Sequence, residues 1–491
     1  MTPSSADGLQ PSDVSPERRG LLVNWGFPCQ LLAVIGTLVV ISVLLTGLES
    51  QAAVLALTAV GLASTAAGFF VRRSPVDSAL YVVAAVFAFA YLARYFAILA
   101  DPELIYFLVP SVAWPAFEAP DTLHRSLTYS CAAFLAAAGT ASFLRLTWLG
   151  APRFGVQGGR RIEFPARDPG RGFLFVGVLA IVLLDSVMIA NGIGVQGQFV
   201  EQPLPFKLTG AIVYLKSIVV PCFAMVYIYC AERRGLTGLS RVAISAVLLS
   251  GAADMILFSS RGALLLQVLF VALLWRVAGF KVRKSDAIIA AIIVTGALLA
   301  VPIITATRLF GTDLSVLSFS QIMFGVSFVF FRVTGIDQFM VIIDLARPIA
   351  PADLLEVLWS PRGVAGYYTS EVLAFPEDVP QTFAPSALGW LYLVGGVPGL
   401  LLGGVALAGI VFAGWRVIEL LLPRLSVIAK AYFMMQLIVI CTEGVIGVSL
   451  KALMIALFAF WALERTLAFC GRIRAGAPLS PSRSVSQQPG F

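Results

Sequence analysis

Histidine is nearly absent, and charge is scarce. The chain has one histidine, His124, and charged residues make up 12% of its 491 positions. A soluble domain carries about 25% charged residues. A single histidine excludes any histidine pair, and with it most histidine-based metal chemistry. Six cysteines (Cys29, Cys131, Cys222, Cys230, Cys441 and Cys470) lie in or beside apolar runs and form no CxxC pair. Neither a metal centre nor a disulfide framework is indicated, and no cofactor is expected. No GxSxG, no phosphate loop GxxxxGK[ST] and no glycine-rich nucleotide fingerprint is read in the sequence. Chemistry driven by cytoplasmic ATP therefore has no support in the sequence.

Apolar residues make up 59% of the chain, and they come in long runs. About 20 apolar residues in lipid must satisfy their own backbone hydrogen bonds, which a helix does. The sequence therefore predicts an all-α polytopic membrane protein with about twelve transmembrane helices. The predicted spans are Phe27–Gly47, Gln51–Val71, Ser78–Ala100, Ser126–Gly150, Gly172–Ile193 and Thr209–Ala231. Six more follow at Val242–Phe258, Ala263–Phe280, Asp286–Thr305, Ala387–Trp415, Ser426–Ile446 and Ala452–Phe469. Residues 1–26 and 471–491 are polar and rich in Ser and Pro, and are expected to be disordered tails around one membrane domain at 27–470. The first run is long enough to be a retained helix rather than a cleaved signal.

Loop charge alternates. Arg72/Arg73, Arg160/Arg161, Arg233/Arg234, Lys281/Arg283/Lys284 and Arg416/Arg424 mark one side, and Asp101, Glu103, Glu118 and Asp121 mark the other. Basic loops stay in the cytoplasm, so both termini are expected there. The net charge of +7 is explained by this asymmetry, and no nucleic-acid partner is expected.

One long segment, 306–386, is expected outside. Its apolar stretch Phe319–Leu345 resembles a thirteenth span, but counting it as one would put later basic loops on the wrong side. Gln321, Arg332, Asp337, Asp344 and Arg347 fall within roughly 160° on a helical wheel. The sequence therefore predicts an external amphipathic or re-entrant helix, followed by a polar loop over Pro348–Pro385.

Charges within spans are costly and informative. Arg145 and Arg276 lie near cytoplasmic ends and can snorkel. Arg94, Asp185, Lys216, Asp254 and Glu443 all fall in the outer halves of their helices. They are candidates for a polar cavity open to the outside, or for ion pairs holding helices together; Asp185 and Lys216, on consecutive helices, are placed to pair. Arg261, Arg308, Arg332, Arg347 and Arg362 sit just above, on the side where arginine is disfavoured. Arginine suits phosphate because its planar fork makes bidentate contacts. Arg261, Arg308 and Arg332 are the candidate pyrophosphate contacts, while Arg347 and Arg362 fit a headgroup contact or a surface ion pair.

Ser260-Arg261-Gly262 leading into an apolar helix, the external Arg308 and the long late outer segment form a pattern. With Pro385-Ser386-x-x-Gly389 and Gly395-Gly396-x-x-Gly399, it resembles the bacterial oligosaccharide repeat-unit polymerases, the Wzy-type or O-antigen polymerase family. The resemblance implies transfer of a growing glycan from a polyprenyl pyrophosphate to a new lipid-linked repeat unit at the outer face of the inner membrane. It also implies a lipid-linked oligosaccharide substrate, and a chain-length regulator and a flippase as partners. A base for the attacking hydroxyl would be a carboxylate, with Asp313, Glu371, Glu377 and Asp378 as external candidates. Some members carry paired arginine motifs in two large external loops; here there is one large loop, and Arg347 with Gly363 is a partial match. O-antigen ligases resemble one another in a late-loop histidine, which this chain lacks. A flippase or other transporter of lipid-linked oligosaccharide is the competing class. Charges at many depths would favour transport, and charges confined to the outer half favour an outward-facing enzyme.

Overall fold

Glycine and proline set the ends and breaks of the helices. The computed structural model describes residues 83–84, 86–104, 117, 121–148, 171–193, 208–257, 261–310, 318–320, 335–359, 363–375, 384–443 and 446–475. Among them every regular element is helical. In chain order, α1 is Ala88–Ala100, α2 Thr122–Trp148, α3 Arg171–Ala190 and α4 Leu208–Arg233. Then come α5 Thr237–Leu257, α6 Arg261–Ala278, α7 Lys284–Phe310 and α8 Ile336–Leu345. The short α9 is Leu354–Trp359, and α10 is Gly363–Tyr367, running on as a π turn over Tyr368–Val372. The chain continues with α11 Ala387–Leu421, α12 Ser426–Glu443 and α13 Ile446–Ala475.

The ten predicted spans from Ser78 onward coincide with α1–α7 and α11–α13, while the two earlier ones lie outside the described residues. Five helices are long and apolar enough to cross a membrane: α3, α4, Thr237–Ile256 within α5, α11 and Ile446–Thr466 within α13. Shorter apolar helices occur at Ala88–Ala100, Gly262–Ala278 and Ser426–Thr442. The chain is thus helical and of a membrane type, with five helices rather than twelve meeting the spanning requirement among the described residues.

The chain divides into two compact units. The first comprises Met1–Gly155, Phe330–Trp415 and Leu437–Gly447, and the second Val156–Val329, Arg416–Gln436 and Val448–Phe491.

In the first unit, α8 packs on α1 and α2. Its sequence, IDQFMVIIDL, is apolar nearly all round, and Ile336–Ile343 are all buried. Within Phe319–Leu345, expected as one amphipathic or re-entrant helix, α8 starts only at Ile336, and the described residues of the polar stripe divide between buried and exposed. Asp337 is fully buried, whereas Asp344 and Arg347 are exposed. Gln321 and Arg332 lie outside the described residues. Ten residues rise about 15 Å, half of a ~30 Å hydrocarbon core, so α8 itself does not cross. Gly335, just before α8, abuts Ala90 and Arg94 of α1 so closely that a Cβ there would collide with the Ala90 backbone.

The expected polar loop Pro348–Pro385 is corrected too. Ile349, Val364, Tyr368 and Leu373 bury themselves against Val341, Ile342 and Leu393 in a small core. That gives the stretch carrying α9 and α10 its own apolar anchor.

Helix α11 begins at a motif singled out from the sequence. Ser386 is fully buried at φ 62°, and its Oγ accepts the Gly389 N–H at 3.1 Å, the hydrogen bond of an N-cap. A Cβ at Gly389 would run into Ile342. The helix then breaks at Gly395 and Gly396, the latter at φ 61°, a conformation open to glycine. Pro398 lacks the N–H that would cap the Val394 carbonyl. The Leu393 carbonyl is taken instead by the Ile349 N–H at 2.7 Å. Further along, a Cβ at Gly404 would meet the Ala133 carbonyl oxygen of α2 at 2.5 Å.

In the second unit, α3–α7 run alternately. Phe173 of α3 stacks on Tyr227 of α4 at 5.8 Å, while Asp185 pairs with Lys216, so these two helices are antiparallel. Helix α5 returns beside α4, with Asp254 on Lys216, and α6 and α7 pack against α5. The ends of α3 and α5, the start of α6 and the end of α7 thus share one end, here the Arg261 end. The opposite, Arg241 end holds Arg241–Asp286 at 2.9 Å and Arg283–Glu232 at 2.6 Å.

Candidate functional site

Two buried charge clusters stand out, one in each unit. In the second unit, Lys216 lies between Asp185 of α3 and Asp254 of α5. Its side chain is 5% exposed, and the two carboxylates are 15% and 18% exposed. Pro221 explains the local geometry. It cannot donate to the Ser217 carbonyl, and its ring would clash there in a regular helix. The helix widens into a π turn over Leu215–Val219, which contains Lys216; such turns recur at functional positions. Helix α3 ends just beyond Asp185 in a glycine cap. Gly192 is at φ 61°, the Ile193 N–H reaches the Met188 carbonyl at 2.8 Å, and Met188 and Ile193 bury one another. This is a Schellman ending. Gly192-Ile193-Gly194-Val195-Gln196-Gly197 has the glycine spacing of a dinucleotide fingerprint, but it follows a helix rather than a strand, and the nucleotide reading fails on that context.

The three triad residues sit near the Arg261 end. By helical rise, Asp254 is roughly 5 Å, Asp185 roughly 8 Å and Lys216 roughly 12 Å from the ends of their helices. Arg261 is the first residue of α6, and Arg308 lies in the last turn of α7. Helices α6 and α7 touch and are joined by the short turn 279–283, and Asp286 at the start of α7 bonds Arg241, so α7 runs back beside α6 and the backbones of both arginines fall at this same end. Arg332, Asp313, Glu377, Asp378 and Arg362 lie outside the described residues. Glu371 is exposed, in the π turn of α10.

The predicted cavity set therefore separates. Asp185, Lys216 and Asp254 come together, while Arg94 belongs to the first unit. There its Nη1 donates to Asp337 Oδ1 at 2.6 Å, with side-chain exposures of 10% and 0%. A π turn, Ala88–Ala93, immediately precedes Arg94. Asp337 Oδ2 is buried without a hydrogen-bond partner. Next to it, the Tyr368 hydroxyl donates to Gln338 Oε1 at 2.7 Å. Burial raises the Tyr368 phenol, and the nearby Asp337 carboxylate pushes the same way, so it remains a donor. Taking two charges out of water is repaid only by close geometry, and Arg94–Asp337 has that geometry.

Sequence reasoning missed Asp337 as Arg94's partner. The signal was present: an acidic residue in a run as apolar as Ile336–Ile343 points to a buried partner. His124 Nδ1 is hydrogen-bonded to the Tyr95 hydroxyl at 2.9 Å. Among the described residues no group of three or more His, Cys, Asp and Glu side chains is placed to hold a metal ion.

Compared with protein-family models, with curated proteins and with solved structures, the chain matches none.

Proposed function

We propose that this chain polymerises polyprenyl-pyrophosphate-linked oligosaccharide repeat units at the outer face of a bacterial inner membrane, from a fold of about twelve spans with both termini in the cytoplasm. The supporting observation is that α6 begins with Arg261 and its neighbour α7 carries Arg308 in its last turn, at the end that also carries the Lys216 triad. A lipid pyrophosphate has to sit at such a depth, because its chain stays in the bilayer while its sugars reach water.

In the proposed reaction the hydroxyl oxygen of the incoming repeat unit attacks the anomeric carbon of the growing glycan. The bond from that carbon to the pyrophosphate oxygen breaks, the lipid pyrophosphate leaves with the electron pair, and the hydroxyl proton passes to a carboxylate or to water. Arg261 and Arg308, with Arg332, are assigned to the leaving group, where donors aimed at developing negative charge lower the barrier. Asp313, Glu371, Glu377 and Asp378 remain the candidate bases.

A bidentate arginine contact to phosphate contributes on the order of 1.5–3 kcal/mol. Arg261→Ala and Arg308→Ala should therefore slow transfer by roughly ten- to a hundredfold. The Lys variants should fall between, since they keep the charge and lose the fork. Glycan length in cells at matched protein levels is the readout, and wild-type lengths in both Ala variants would defeat the clamp. Membrane-impermeant labelling of cysteines placed at 261 and 283 in spheroplasts tests the topology; labelling at 283 alone would invert it.

A second reading, transport of the same lipid-linked oligosaccharide, draws on the triad, because a buried lysine shared by two carboxylates suits an ion-coupled carrier. Loss of the protein separates the two. A polymerase defect leaves single repeat units exposed outside, and a flippase defect leaves them facing inward.

A further inference from the structure

Helix α3 touches the rest of its unit sparingly. Its spanning window has a mean hydropathy of 2.6 and is 6% buried. It is held at one end by the Asp185–Lys216 pair and at the other by the Phe173–Tyr227 stack. Between these points lies a groove of about 330 Å³ walled by α3, α4 and α5, with almost no polar surface. It runs from Phe173 to Ile181 on α3, from Leu215 to Tyr227 on α4, and over Ala243–Val247 on α5. That is roughly 12 Å along α3 and 18 Å along α4, close to the ~15 Å of one leaflet's share of the hydrocarbon core. On α3 and α5 the groove lies in the half toward the Arg241 end, and on α4 it runs along the middle of the helix from beside Lys216 to Tyr227.

All three walls end there in arginine. Arg171 stands two residues before Phe173, Arg241 two before Ala243, and Arg233 and Arg234 close α4 beyond Tyr227. Of the acids on α4 and α7 here, Asp286 bonds Arg241 and Arg283, and Glu232 bonds Arg283. Arg233 stacks over the Tyr229 and Phe280 rings. Arg171 is exposed.

We propose that this groove binds one acyl chain of an anionic diacyl phospholipid from the leaflet at the Arg241 end, with the headgroup phosphate held by Arg171 and Arg234. The walls accept only hydrocarbon. The groove opens beside a helix whose outer residues, such as Val176 and Leu183, are more than half exposed. Its depth fits a chain anchored at the near surface, and the arginines fit its phosphate. Basic pockets between membrane helices are the setting in which anionic headgroups bind. A pyrophosphate held at the Arg261 end would be at the opposite surface, so this site does not depend on the proposed polymerase reading.

The test uses the full chain in nanodiscs doped with phosphatidylglycerol or phosphatidylcholine bearing the same diazirine-labelled acyl chain. Cross-linked residues are mapped by mass spectrometry. Phosphatidylglycerol should label Phe223 and Ala246 in preference to phosphatidylcholine. Arg171→Gln and Arg234→Gln should each reduce that preference by roughly fivefold. Gly177 lines the groove, and a Cβ added there would meet nothing within 4 Å, so Gly177→Phe should fold. It should abolish labelling inside the groove and leave labelling at Leu183 unchanged. Equal labelling by the two lipids would overturn the headgroup assignment. Labelling at Leu183 with none in the groove would overturn the lipid itself, and protein–protein cross-links to the groove would show that another segment or a second copy covers it.

Discussion

The Arg94–Asp337 pair and the Asp185–Lys216–Asp254 triad are both buried, both beside a π turn, and both made from residues on separate helices. They differ in number and in exposure. Arg94 meets one carboxylate that is wholly enclosed. Lys216 meets two carboxylates that keep some exposure. A sealed pair is suited to fixing helices in register. A lysine bonded to two carboxylates can lose or exchange one and keep the other, and that makes the triad the better candidate for a part in function.

The largest expected effect tests the sealed pair. Asp337→Ala removes the carboxylate from a buried ion pair, and breaking such a pair costs about 3–5 kcal/mol. The double variant Arg94→Met/Asp337→Leu should recover most of that loss, because apolar replacement of a whole buried pair is often neutral or stabilising. Denaturation of the purified protein in detergent, run as a double-mutant cycle, measures the coupling. A double variant no more stable than Asp337→Ala would show that the pair is not a self-contained contact.

A smaller effect concerns packing around the same pair. Gly404 sits against the Ala133 carbonyl, and Gly335 against the Ala90 backbone beside Arg94. Gly404→Val forces α11 away from α2, and overpacking of this sort costs about 1–3 kcal/mol. The same denaturation assay should show Gly404→Val destabilised and Gly409→Val close to wild type, since nothing lies within 4 Å of a Cβ at Gly409. Equal effects at the two glycines would remove the close approach from the account. Tyr368→Phe, which takes the donor from the buried Gln338 carbonyl, should cost about 1–3 kcal/mol in the same assay; a neutral Tyr368→Phe would mean that Gln338 finds another donor.

The two regions were unequally legible in the sequence. The triad's members stood out because each is a charge in a long apolar run on a helix of simple period, and the Asp185–Lys216 pairing follows from adjacency. Arg94 stood out equally, but its partner is 243 positions away. Asp337 also shared its wheel face with Gln321, Arg332 and Asp344, which suggested a solvated stripe. The helical wheel assumed one helix across Phe319–Leu345, and α8 starts only at Ile336, so a stripe drawn through the break had no physical meaning. The glycine motifs were legible as close packing. That Gly395 and Gly396 break α11, and that Ile349 satisfies the freed carbonyl, depends on a segment nearly fifty residues upstream, which no local pattern encodes. The loop around α9 and α10 was misread because its Pro and charged residues obscured four apolar anchors that meet only after the chain folds back.

The smallest expected effect bears most directly on what the triad is. Asp185→Asn leaves Lys216 with the Asp254 carboxylate. The lysine keeps a carboxylate, so the cost should be at or below about 1 kcal/mol, the scale of an ordinary hydrogen bond exchanged for a weaker one. Asp254→Asn should behave alike, because Asp185 then serves Lys216. The double variant Asp185→Asn/Asp254→Asn takes both carboxylates from the lysine and should cost about 3–5 kcal/mol, far above the sum of the singles. This non-additivity separates the triad from Arg94–Asp337, where the first carboxylate lost already carries the full penalty. Denaturation midpoints of the three variants, set against Asp337→Asn, give the answer in one series. If Asp185→Asn alone falls as far as Asp337→Asn, the triad is a second sealed lock, and the contrast between the two clusters is lost. If it holds its stability while glycan length collapses, the Asp185 carboxylate belongs to the reaction rather than to the fold.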